Sequence, residues 1–91
     1  MEAQKIIITG RATRVGAAIA EKLSGPNVEI TIHFNKSKLK AQNLKKKLQK
    51  FGTKVYLVKG DLSKERDVHK IIKFSKSKMK FFDCLINNAS L

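Results

Sequence analysis

Four short apolar runs alternate with three amphipathic stretches, and this alternation constrains the fold more than any other feature of the chain. Residues 4–9 (QKIIIT) read as a strand buried on both faces. Residues 28–34 (VEITIHF), 54–58 (KVYLV) and 82–86 (FDCLI) are the further strand candidates. Between the first two, Val15, Ala18, Ile19 and Leu23 recur at helical spacing over residues 15–24, and Gly25-Pro26 stops the helix. A second stripe, Ala41, Leu44, Leu48 and Phe51, begins after Ser37 as N-cap and ends at Gly52. The third carries Val68, Ile71, Ile72, Ser75 and Met79, with Asp61 or Ser63 as its cap. The expected order is therefore βαβαβαβ.

Short connections across helices of this length require parallel strands. Right-handed crossovers then favour the strand order 3-2-1-4, a Rossmann-type, doubly wound α/β sheet. In such a sheet the chain reverses between the first and fourth strands, and ligands bind outside the carboxyl ends of the strands. At 91 residues the chain has room for one small domain or part of a larger one. No apolar run approaches the roughly 18 residues of a membrane span, and the start, MEAQKIII, is unlike a signal peptide, so a cytoplasmic location without membrane attachment is expected. The single cysteine, Cys84, excludes an internal disulfide, and its apolar neighbours predict a buried thiol. No metal-ligand cluster is evident.

The net charge of +13 raises the possibility of a nucleic-acid partner. All but Arg11, Arg14 and Arg66 of the twenty basic residues are lysines, however, and most fall on the polar faces of the second and third helices. Solvated lysine is ordinary there, and few aromatic residues are interleaved to stack on bases. A specific nucleic-acid function is accordingly the lesser reading.

Polar loops follow all four strands: ITGRATRVG, HFNKS, GDLS and NNAS. Each alone is ordinary turn chemistry, but their convergence on one crevice favours a shared site. In the first, Gly10 and Gly16 permit a sharp turn into a helix N-terminus, with Thr13, Arg14 and Val15 between them. A guanidinium beside a helix N-terminus is disfavoured unless an anion compensates it, which points to a phosphate. The second loop contains no acid, where a dinucleotide site that reads a free ribose 2′-hydroxyl would carry one. Lys36, Ser37 and Arg14 could instead hold a 2′-phosphate, so NADP(H) is the expected cofactor. His33 admits two readings, a satisfied histidine at a strand end or a ligand contact, and Lys36 could simply be solvated. Asp61 could cap a helix, accept from an adenine amino group, or do both, since it has two oxygens. Asn87 and Asn88 place two amides at the end of the fourth strand.

Taken together, T-G-x-x-x-x-x-G (Thr9, Gly10, Gly16), Asp61-Leu62 and N-N-A-S (Asn87 to Ser90) resemble the N-terminal part of a short-chain dehydrogenase/reductase, across essentially the whole chain. Arg14, HFNKS and the serine ending N-N-A-S are similar to the pteridine reductase branch, which reduces pterins with NADPH. The resemblance implies that Arg14, His33, Asn35, Lys36 and Ser37 hold the ribose phosphate, and that Asp61 and Leu62 border adenine. Asn88, Ala89 and Ser90 would line the nicotinamide-side ribose and phosphates. The family's Y-x-x-x-K pair is not among these residues: Tyr56, the only tyrosine, is followed four positions later by Gly60, and it reads as strand packing.

Residues 1–91 are thus expected to be a truncated Rossmann domain, its dinucleotide-binding half, inactive alone and without the catalytic and substrate-binding half. Its fourth strand would be an open edge, available for self-association or for a complementing C-terminal fragment. A non-catalytic dinucleotide-binding or assembly module is the alternative.

Overall fold

A computed structural model describes residues 4–9 and 14–87; for Arg14, Val15 and Asn87 the description stops at the backbone. Within them β1 (Gln4–Thr9), α1 (Arg14–Leu23), β2 (Val28–Phe34), α2 (Lys38–Gln49), β3 (Lys54–Lys59), α3 (Glu65–Met79) and β4 (Cys84–Asn87) alternate as expected. The strands pair in parallel in the order β3-β2-β1-β4. This is the α/β, Rossmann-like arrangement that the crossover rule predicts.

Pleating divides the strand side chains between two layers. Ile6, Ile8, Ile30, Ile32 and Val55 face α1 and α2, where Ala20, Leu44 and Leu48 cover them. Ile7 and Val58 face the other way, onto Ile71 and Met79 of α3. Burial on both faces explains the unbroken apolar run of β1, and each large side chain so enclosed contributes about 1.5–3 kcal/mol. Ser75, on the buried stripe of α3, donates its hydroxyl to the Ile71 carbonyl at 2.8 Å and so needs no partner outside its own helix.

Several local expectations are corrected. Phe51 is exposed, because α2 stops at Gln49 and Lys50 is its C-cap. Ser37 holds the N-cap position of α2 without a side-chain hydrogen bond to the helix. Neither Asp61 nor Ser63 caps α3. That position falls to Lys64, and Glu65 and Asp67 place acid in the first turn, where the helix dipole favours it. Cys84 is exposed rather than buried: β4 has a described neighbour on one side only, β1. The same edge leaves Leu85 at 51% exposure, although its register partner Ile7 is fully buried.

A network of satisfied polar groups secures the amino end of the sheet. The Lys5 ammonium donates to the Met79 carbonyl at 2.6 Å and lies 4.2 Å from the Phe81 ring centroid and 4.0 Å from Glu29 Oε2. Glu29 Oε1 accepts from the Tyr56 hydroxyl at 3.1 Å. Partial burial, then the bond to Glu29 and its charge, raise the Tyr56 pKa above the ordinary phenol value. Tyr56 therefore packs and bonds within the strand layer. The Lys5 backbone exchanges two hydrogen bonds with Asp83, at 2.9 Å to Oδ2 and 2.7 Å from its N–H, and these anchor the approach to β4.

Among the described residues no group of three or more His, Cys, Asp or Glu side chains could hold a metal ion, and no helix is long and apolar enough to cross a membrane.

Candidate functional site

Parallel pairing brings the carboxyl ends of all four strands to one edge, and the loops after β2 and β3 meet there. Gly60 joins them. Its N–H donates to the Phe34 carbonyl at 3.0 Å, continuing the β2–β3 ladder past the last strand residue. Its carbonyl lies 2.6 Å from His33 Nε2. A carbonyl can only accept, so His33 Nε2–H is the donor in this bond. His33 is 3% exposed, on the α3 face of the sheet, and acts as a buried tie between the two loops. A side chain at position 60 would meet Ile71: a Cβ there would stand 3.1 Å from Ile71 Cδ1, so glycine permits this close approach of loop and helix.

Asp61 follows directly. Its N–H donates to Asp67 Oδ2 at 2.8 Å, while its Oδ1 accepts from both the backbone and the hydroxyl of Ser63, at 2.9 and 2.7 Å. The Ser63 hydroxyl, then the Ser63 N–H, hold the carboxyl below its ordinary pKa, and the charges of Lys64 and Lys36 act in the same direction. Asp61 is accordingly an anion at neutral pH with one oxygen committed to the turn. Among the described residues its Oδ2 accepts no hydrogen bond. Leu62, half-buried, packs on the α3-side cluster beside Phe74 and Tyr56.

On the α2 side, a hollow of about 590 Å³ opens between the end of β2 and its neighbours. Phe34, Asn35, Lys36, Lys38 and Lys59 line it. Asn35, Lys36 and Ser37 were expected at such a site. The first two line the hollow, whereas Ser37 starts α2 at its rim and accepts from Ala41 N–H through its carbonyl at 3.0 Å. Lys38 and Lys59 were not anticipated. The available signal was positional: Lys59 is the register partner of Phe34, and Lys38 opens the helix that follows the loop. Gly16 is buried in the first turns of α1. Gly10, Thr13, Asn88, Ala89 and Ser90, with the side chains of Arg14, Val15 and Asn87, lie outside the described residues.

The order of elements, the strand order and the converging loops are those of a dinucleotide-binding sheet, and residues 4–91 match the family model for short chain dehydrogenase. The chain belongs to the short-chain dehydrogenase family. A short-chain dehydrogenase from Oenococcus oeni is 31% identical over 94% of the chain, with a TM-score of 0.84, and 40% of that protein is covered. The fold is shared with a Burkholderia cenocepacia dehydrogenase with bound NADP (24% identity, 94% of this chain, 34% of that one, TM-score 0.87). It is shared equally with an NADH-dependent reductase complexed with NAD (22% identity, 94% and 36%, TM-score 0.83). The chain thus spans 34–40% of the length of these short-chain dehydrogenases, and the shared backbone serves proteins holding either dinucleotide.

Proposed function

We propose that this short-chain dehydrogenase chain is an NADP(H)-binding segment of the pteridine-reductase type, with residues 1–91 contributing the dinucleotide-binding half. The carrying observation is the sign of the charge at the end of β2: three lysines and an asparagine line the hollow, and among the described residues no carboxylate does. A ribose 2′-hydroxyl is ordinarily read there by an acid, and a 2′-phosphate by bases. The donor set fits the phosphorylated dinucleotide. Lys36, Asn35 and Ser37, with Arg14 from the first turn, hold the 2′-phosphate, while Asp61 Oδ2 accepts from the adenine amino group and Leu62 borders the ring. His33 supports the site through the Gly60 carbonyl. Gly10, Thr13, Val15 and Gly16 form the pyrophosphate turn, and Asn88, Ala89 and Ser90 the nicotinamide side.

When bound, the nicotinamide supplies or accepts a hydride. No residue described here stands as its proton donor, since Tyr56 is bonded to Glu29 at the far end of the sheet. We accordingly assign these residues to binding and orientation of the dinucleotide. The substrate class, a pterin, follows from the likeness of Arg14, HFNKS and N-N-A-S to that branch.

Calorimetric titration with NADPH, NADH and free pyrophosphate at moderate salt tests the reading. One-site binding with a clear preference for NADPH is expected. Equal affinity for the two dinucleotides, or pyrophosphate heat matching that of NADPH, would mean that the basic loops act as a general polyanion surface and the reading is wrong.

A further inference from the structure

We propose that Lys59, at the end of β3, is a further specificity-determining residue, a cation that reads the 2′-phosphate beside Lys36. The inference rests on the NADP(H) reading and deepens it. Lys59 and Phe34 are register partners at the carboxyl ends of adjacent strands. Both therefore project to the face covered by α1 and α2. Phe34 is 6% exposed and closes the floor of the hollow, while Lys59 is exposed at its wall. Lys36 enters from the β2–α2 loop and Lys38 from the first turn of α2, so three lysines from three separate elements line one concavity.

Among the described residues two lysines lie beside a carboxylate, Lys5 by Glu29 and Lys47 with Glu21, and the others, on solvated faces for the most part, do not; what distinguishes Lys36, Lys38 and Lys59 is that they share one hollow. Among the described residues none of Lys36, Lys38 and Lys59 forms an ion pair. Asp61 feels the charge of Lys36, and its Oδ1 is occupied by Ser63. Helix α2 has no acid anywhere along its length, so none of its side chains can neutralise the cluster. Like charges gathered in one concavity raise its potential, and a compact dianion removes that repulsion. The backbone makes the placement rigid, because Gly60 N–H to Phe34 and Gly60 carbonyl to His33 fix the end of β3 against the end of β2. The Lys59 backbone is thus fixed beside the β2–α2 loop, within reach of its long side chain.

The test compares wild type with Lys59→Gln, Lys59→Arg and Lys36→Gln, each titrated with NADPH, NADH, adenosine 2′,5′-bisphosphate and 5′-AMP. Lys59→Gln is expected to weaken NADPH and the bisphosphate roughly three- to tenfold, the range for one charge pair in a partly screened site, and to leave NADH and 5′-AMP unchanged. Lys59→Arg should restore most of the difference, and the unfolding midpoint should stay at the wild-type value in all three variants. If wild type prefers NADPH and Lys36→Gln removes that preference while Lys59→Gln retains it in full, the role of Lys59 is overturned and the NADP(H) reading stands. If Lys59→Gln weakens all four ligands equally, the lysine is a general anion attractor and the specificity role is likewise overturned. Wild type that shows no preference between NADPH and NADH, or binds neither, overturns both.

Discussion

The two ends of the same sheet treat lysine in opposite ways. At the amino end Lys5 is largely enclosed, donates to the Met79 carbonyl, lies over Phe81 and faces Glu29, which in turn holds Tyr56. At the carboxyl end Lys36, Lys38 and Lys59 face a shared hollow and pair with none of the described carboxylates. A buried ammonium without partners is costly, so the first arrangement is what stability requires. The second gives up local compensation and stays available to an anion. Within one layer of secondary structure, one pole closes the fold, and the other, in the function proposed above, receives the cofactor phosphate.

Three substitutions would break this contrast if it is wrong, and they are ordered by the size of their effect. Lys5→Ala removes a charged hydrogen bond and a cation–aromatic contact and leaves Glu29 uncompensated. It should cost about 2 kcal/mol in urea unfolding and leave the NADPH-to-NADH affinity ratio unchanged. A shifted ratio would show that the two poles are coupled. Gly60→Ala pushes a methyl group to 3.1 Å from Ile71 Cδ1, and the loop or α3 must give way. We expect a loss of about 1–2 kcal/mol, together with weaker binding of both dinucleotides, because Gly60 ties the two loops of the site. Normal binding by a destabilised variant would separate the loop geometry from recognition.

The smallest effect is that of Tyr56→Phe, about 0.5–1 kcal/mol from one lost hydrogen bond, read as a lower urea midpoint near neutral pH. Its pH dependence sharpens the comparison further. The phenol pKa is raised in the folded state above its ordinary 10.0, so its contribution is intact below pH 10 and is lost as pH climbs through the raised value. Wild type and variant should therefore converge in stability at strongly alkaline pH. A gap that stays constant would mean that the phenol does not bond to Glu29. Binding should be indifferent to this change, in contrast to Lys59→Gln, which alters binding and not stability.

Most of the architecture was legible in the sequence. β1 and β2 lie at the predicted residues, because strands buried on both faces leave unbroken apolar runs, and 3-2-1-4 follows from handed crossovers. The shortfalls fall where periodicity carries no information. Asp61 and Ser63 look like helix caps in sequence, but Asp61 turns its Oδ1 back onto Ser63 and α3 starts afterwards, with Asp67 accepting from Asp61 N–H. Cys84 sits in an apolar run and is nonetheless exposed: the strand order put β4 at an open edge, but the apolar run by itself does not reveal that its residues would stay uncovered there. For the site, the loops after β2 and β3 were readable as polar loops at strand ends. The participation of Lys38 and Lys59 was not, since nothing in the spacing separates them from the many lysines on solvated faces.

The sequence alone determined the order of elements, the faces each buries, the parallel sheet and the edge of that sheet where a ligand belongs. These depend on periodicities of hydrophobicity and on chirality, which are local or universal. Tertiary structure alone decided which lysines share a hollow, that His33 donates to Gly60, and that Asp61 keeps one oxygen uncommitted. The first two depend on the register between strands far apart in the chain, which packing sets, whereas the Asp61 arrangement comes from its local turn onto Ser63.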